Sequence, residues 1–239
     1  MLVRTANFSL RGVTRIELVV VAVVIVVLLS MFLPIVKVKG KAERIDCVNN
    51  LKQIGMAERA WVNNSNDLYQ VFSRTNAGTY CWAFYAIIAK DSKQSPKTFV
   101  CPSDERRSAA FFTRGGTTND AGVGPFTDNS MVSYFINPEK NDVNPQSILG
   151  GDRNLGPGTV PGLDYGYSPT NGHGNDVLVS PPVCWSLKMH SAGNASGAGN
   201  ILLADGSAQQ LTSKGFNENW LPNALSVSSN HLGIRFVFP

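Results

Sequence analysis

Charged residues are scarce in this chain of 239: Asp, Glu, Lys and Arg together make up 16%, low for a soluble protein. Their balance, +4 at pH 7, is too slight to lay down a nucleic-acid footprint. Catalytic signatures are missing as well. There is no GxSxG, no HExxH, no P-loop and no GxGxxG, so nothing announces an enzyme. Histidine occurs only as His173, His190 and His231, each isolated and each read as a hydrogen-bonding loop residue rather than a ligand or base. The four cysteines show neither a CxxC nor a Cys2His2 spacing; their even number permits disulfides in an oxidising compartment without demanding them. A single long apolar run rules out a multi-span membrane protein. What fills the gap is Gly (22), Pro (13), Asn and Ser, the residues of loops and turns, beside a hydrophobic fraction of 43% that suffices for a real core.

The long run covers residues 18–33, sixteen residues without a charge, and with its flanks approaches the ~20 needed to cross a bilayer. A cleaved secretory signal would end in small residues of A-x-A type. Here the run ends at Leu33-Pro34 and meets Lys37, Lys39 and Lys41, so cleavage there is not expected. A plain anchor is the second reading. Its orientation is not fixed, because Arg4, Arg11 and Arg15 precede the run while Lys37, Lys39, Lys41 and Arg44 follow it. Glu17 sits just inside the apolar stretch, where a carboxylate costs on the order of a few kcal/mol unless it has a partner or lies at the interface. Pairing with Arg15 at headgroup level is the plainest account of it.

A third reading comes from the segment Arg11-Gly12-Val13-Thr14-Arg15-Ile16-Glu17-Leu18. It closely resembles the type IV prepilin signature: a basic leader ending in Gly, a cut, Glu at the fifth mature position, then an unbroken apolar stretch. The resemblance implies that a prepilin peptidase cuts between Gly12 and Val13 and that Val13 becomes the methylated N-terminus. It also implies that Glu17 directs assembly and that Pro34 softens or kinks the helix. Val13 stands where the family usually has Phe or Met, and Arg15 where it usually has an apolar residue. In such a filament Glu17 of one subunit neutralises the terminal amine of its neighbour, which sets axial register more than it adds net stability.

Beyond Pro34, Ile45, Val48, Leu51, Ile54 and Trp61 recur at helical intervals, an amphipathic helix ended by Asn63-Asn64-Ser65-Asn66-Asp67. The stretch Cys47-Val48-Asn49-Asn50-Leu51-Lys52-Gln53-Ile54-Gly55 again resembles pseudopilin-like proteins. From residue 68 onward short apolar runs alternate with Gly, Pro and Asn. Residues 80–89 are either a short helix or a buried strand, with Trp82, Phe84 and Tyr85 read as core. Residues 131–136 and 147–151 are candidate strands, while 113–130 and 152–182 read as long surface loops. Asp205-Gly206, between two strand-like runs, has the turn chemistry of a type I′ hairpin. A His, a spacer and then Ala-Asp-Gly-Ser-x-Gln resembles the ending of many prepilin-like proteins. Here the spacer from His190 to Asp205 is longer than in that family, which leaves no ground for a contact between His190 and the hairpin.

The expected architecture is therefore α+β, a pilin-type fold with a long N-terminal helix, membrane then amphipathic, packed on a small antiparallel sheet with long loops. Its divisions are a leader (1–12), a transmembrane and assembly segment (13–36), the amphipathic half of the helix (37–66) and a β-rich globular domain (67–239). The resemblance implies a structural, non-enzymatic subunit, pilin or pseudopilin, of a type IV pilus-like or type II secretion filament engaged in protein transport. It implies as partners other copies or other pilin-like subunits, the peptidase, an assembly platform, and a lipid bilayer before assembly; no nucleic acid is implied. The implied location is the inner membrane, single pass, with the globular domain periplasmic or extracellular, and a periplasmic or cell-surface filament after assembly. The alternative is a membrane-anchored binding or sensor domain that never polymerises. No cofactor is assigned: Asp152 and Asp205 are weak candidates for calcium, since an Asp-Gly turn needs no metal. Cys47 and Cys101 recur at their positions in the resembling family, which implies a Cys47–Cys101 bridge and leaves Cys81 with Cys184. Four buried thiols serving as small apolar residues is the alternative.

Overall fold

Three short runs, Tyr134–Ile136, Ala198–Leu203 and Ile234–Phe238, are apolar nearly throughout, as strands covered on both faces must be. The computed structural model describes residues 14–65, 81–112, 124–139, 144–191, 196–227 and 233–239, and the side chains of 31–39 are not among what it describes. In chain order the elements are α1 (Arg15–Ser65), α2 (Cys81–Ser92), β1 (Tyr134–Ile136), β2 (Ile148–Asp152), β3 (Leu155–Pro157), β4 (Asn175–Val179), β5 (Val183–Trp185), β6 (Ala198–Leu203), β7 (Ala208–Thr212), α3 (Ser213–Gly215), a π-turn (Phe216–Trp220), α4 (Leu221–Val227) and β8 (Ile234–Phe238). Six strands form one sheet in the order β4-β8-β1-β2-β6-β7, antiparallel at every pairing, and β3 with β5 forms a second, two-stranded sheet. By contacts the chain divides into two units, Met1–Lys41 and Ala42–Pro239.

The larger unit has a core on each side of its sheet. Tyr134, Ile136, Leu149, Leu202 and Val237 join Cys47, Leu51, Ile54 and Trp61 of α1 and Phe84, Tyr85 and Ile88 of α2. The alternate residues Phe135, Ile201, Leu203, Phe236 and Phe238 join Trp185 of β5, Phe216 of the π-turn and Leu221 of α4. Adjacent residues of one strand thus serve opposite cores, the period-two rule acting on the inner strands β1, β6 and β8, which are covered on both faces. The helical stripe falls on Cys47, Leu51, Ile54, Ala57 and Trp61; Ile45, expected within it, is exposed.

The expected pilin-type fold is corrected here. The sheet is a six-stranded layer held between two cores rather than a small sheet under one helix, and the helices other than α1 have at most twelve residues. The transmembrane helix is overturned too: among the described residues no helix is long and apolar enough to cross a membrane. The single-pass inner-membrane location, with the membrane and transmembrane associations tied to it, falls by the same finding, which lends no support to the pilus, secretion and protein-transport associations either.

Local expectations fared unevenly. Residues 81–92 are helical, which settles the ambiguity of that run. Part of the supposed loop 152–182 forms β3 and β4, the latter an edge strand with mostly exposed side chains. The Asp-Gly hairpin exists, but not as type I′. Gly206 has φ +78° while Asp205 keeps a negative φ, the Gly206 amide donates to the Leu203 carbonyl, and the Leu203 amide donates to that of Ser207. This is the three-residue loop that closes on a left-handed glycine.

Candidate functional site

Two places in the chain concentrate chemistry, and the first is the start of α1. Thr14-Arg15-Ile16-Glu17 is an S/T-x-x-E capping box. The Thr14 amide donates to Glu17 Oε2 at 2.8 Å, its hydroxyl to the same oxygen at 3.1 Å, and the Glu17 amide returns a bond to Thr14 Oγ1 at 3.3 Å. The Thr14 amide first, and the Thr14 hydroxyl second, hold the Glu17 carboxyl below its usual range. The partner is thus Thr14 rather than Arg15, and the three-residue spacing of Thr14 and Glu17 was the sequence signal for it. Gly12 and Val13 lie outside the described residues, as does the side chain of Pro34, through which the backbone of α1 stays helical. After the cap the helix is apolar on all sides. Ile16 and the Leu, Val and Ile residues from Leu18 to Leu29 are 50–77% exposed within this chain.

The second place is buried, and Gly150-Gly151 makes it. A Cβ on Gly150 would stand 2.5 Å from the Phe135 carbonyl oxygen and one on Gly151 2.6 Å from that of Asn200. Two glycines therefore let β1, β2 and β6 close around the Asp152-Arg153-Asn154 that follows, and all three of these polar residues are buried. Each has its own task. Asn154 Nδ2 donates to the carbonyls of Lys188 and Ala198 at 3.1 Å each. Arg153 grips Asp104 with two bonds, Nε to Oδ2 at 2.7 Å and Nη2 to Oδ1 at 2.8 Å, with both side chains nearly sealed from solvent. Burial by itself would raise the Asp104 carboxyl; the Arg153 bonds and charge outweigh it and hold the group below its usual range. Arg106, beside them, donates to the carbonyls of Asn129, Val132, Pro169 and Pro239, and burial brings its guanidinium down to about 10.

Asp152 reaches the other way. Its Oδ2 accepts from the Asn200 amide at 2.7 Å and from Asn200 Nδ2 at 2.9 Å, and lies 3.3 Å from His190 Nε2. The same Nε2 is 3.4 Å from Cys101 Sγ. Met189, at φ +57°, bends the chain into the turn that presents His190, and Arg44 of α1 holds that turn by donating to the His190 carbonyl. His190 is therefore not isolated: it meets Asp152 and shares that carboxylate with Asn200 of the hairpin strand β6, which corrects the expectation of no contact. Among the described residues neither Asp152 Oδ1 nor His190 Nδ1 has a hydrogen-bond partner.

Cys47 and Cys101 form a disulfide, with Cα atoms 5.1 Å apart, joining α1 to the segment after Phe99. The pairing of Cys81 with Cys184 does not form; both are buried free thiols, Cys81 donating to the Val237 carbonyl and Cys184 to Ser213 Oγ. Cys81 lies in the core shared with α1 and α2, whereas Cys184 belongs to β5 of the two-stranded sheet. The two carboxylates named for calcium also stay apart. Asp205 turns its Oδ1 to the Ser207 amide within the hairpin loop, while Asp152 is bonded to Asn200 inside β6. The atoms that do converge are Cys47 Sγ, Cys101 Sγ and His190 Nε2, all within 4.8 Å of one another and all buried. With no access for a substrate, that cluster can brace, change redox state or hold an ion. No family model, curated protein or solved structure matches this chain.

Proposed function

We propose that the chain is a structural subunit, pilin or pseudopilin in kind, of a type IV pilus-like or type II secretion filament. The observation that supports this reading is the first stretch of α1, apolar around its whole circumference and exposed in the single chain. A helix of that kind needs cover on every side, and a bundle of the same helix from other copies supplies it. Prepilin peptidase releases the segment by cutting after Gly12, and an assembly platform stacks the subunits. The cut would leave Thr14 as second residue, so the capping box survives processing. Glu17 Oε2 takes the cap bonds, leaving Oε1 for the terminal amine of a neighbouring Val13.

Mass spectrometry of the protein from its own cells tests the cut: the mature chain is expected to begin at Val13, and a chain beginning at Met1 or beyond residue 33 overturns the reading. Glu17→Gln separates the two roles of Glu17. Gln serves in a capping box but carries no charge, so helix content should hold while incorporation into filaments falls at least tenfold. Normal incorporation of the variant would leave Glu17 a cap and nothing more.

A further inference from the structure

We propose that Cys47, Cys101, His190 and Asp152 form a thiolate-selective binding site for a divalent cation of the zinc class when the Cys47–Cys101 bridge is reduced. Zinc sits at about 2.3 Å from sulfur and 2.0–2.2 Å from imidazole nitrogen and carboxylate oxygen, in a tetrahedron. Those lengths place neighbouring ligand atoms about 3.3 Å (N to O), 3.6 Å (N to S) and 3.8 Å (S to S) apart. His190 Nε2 already stands 3.3 Å from Asp152 Oδ2 and 3.4 Å from Cys101 Sγ. The two sulfurs, both within 4.8 Å of the imidazole nitrogen, must separate, and Asp152, which stands outside that three-residue cluster, must swing toward the sulfurs from its place beside His190. The ligands come from four separate parts of the fold: α1, the segment after Phe99, the end of β2 and the turn before β6.

Two further features fit an ion. Asp152 is a fully buried carboxylate whose Oδ1 has no hydrogen-bond partner among the described residues, an arrangement costly unless a positive charge stands near it. Asn200 fixes Oδ2 through two donors, the outer support that orients a metal-binding carboxylate. The chemistry balances with a dithiol as reductant. The dithiol gives two electrons and two protons, is itself oxidised to a disulfide, and leaves Cys47 and Cys101 as thiols. The cation then displaces both thiol protons to solvent. A compartment rich in reducing thiols favours the metal form and an oxidising one the bridge.

Full-length protein with Cys81→Ala and Cys184→Ala, which leaves only the two cysteines in question, tests this. After reduction by a dithiol and its removal, Co(II) is expected to bind one ion per chain with the near-ultraviolet thiolate-to-metal absorption and visible bands of a tetrahedral site. Zn(II) should displace it, and the bridged protein should bind none. His190→Ala and Asp152→Asn should each weaken binding 10–100-fold. If reduction unfolds the chain, Zn(II) should restore its circular dichroism. The proposal is overturned if the reduced chain, folded or unfolded, gains no such spectrum and no structure from the ion. It is overturned equally if His190→Ala and Asp152→Asn bind as the parent does.

Discussion

The two ends of α1 obey opposite rules. From Ile16 to Leu29 apolar side chains point in every direction and lie exposed, whereas from Cys47 to Trp61 only one stripe is apolar and it is buried against β1, β6 and β8. The second end is stabilised within its own unit; the first is exposed among the described residues. Burial follows from arrangement as much as from hydrophobicity, since the more hydrophobic end is the wetter one. One helix can thus carry a structural half and an assembling half, and each can be altered without the other.

The largest effect is expected where charge is sealed inside the folded half. Arg153→Met strands Asp104 and should cost about 3–5 kcal/mol in urea unfolding followed by tryptophan fluorescence. Because Asp104 is held below its unfolded value, its contribution is present above about pH 4 and is lost as pH falls further. The variant should therefore lose part of the acid limb of the stability profile, and an unchanged limb would remove Asp104 as its source. Next, Leu51→Ala should cost about 2–5 kcal/mol, while Val23→Ala at the exposed end should stay within about 0.5 kcal/mol. Equal losses from the two would abolish the contrast between the halves. Opening the 54-residue separation closed by Cys47–Cys101, through Cys47→Ser with Cys101→Ser, should cost about 2–4 kcal/mol in denaturant. Smallest within the folded half is Gly206→Ala, about 1–2 kcal/mol, since an alanine there keeps a left-handed φ only under strain; no loss would mean that the hairpin loop re-forms in another turn type.

Much of this contrast was legible beforehand. Uniform apolarity over 18–33 against spaced apolarity over 42–62 separates the two halves on sight, and the stripe slipped only because Cys47 was not counted as apolar while Ile45 was. The hairpin around Asp205-Gly206 was legible as well, though a dipeptide does not fix the loop length, which depends on where the flanking strands stop pairing. β3 and β4 were hidden by their Gly, Pro and Asn, and β4 by exposure that leaves no alternation to read. The buried cluster was not legible at all. Asp152, His190 and Asn200 are far apart in sequence and meet only after two glycines let three strands close together. The membrane reading failed for the converse reason: a run can approach the needed length in sequence without forming a described helix that meets it.

The place of β8 bears on how the chain is made. Residues 234–238 lie inside the sheet, between β4 and β1, so two of its neighbours in space wait for a strand synthesised after them. A ribosome that has released everything through α4 still holds back the strand that joins them. Until Ile234–Phe238 emerges, Tyr134–Ile136 offers an unpaired edge and Asn175–Val179 has no ladder at all. Such edges are where nascent chains pair wrongly. Folding of the large unit thus waits for β8 to emerge, and anything that binds the growing chain must guard β1 longest.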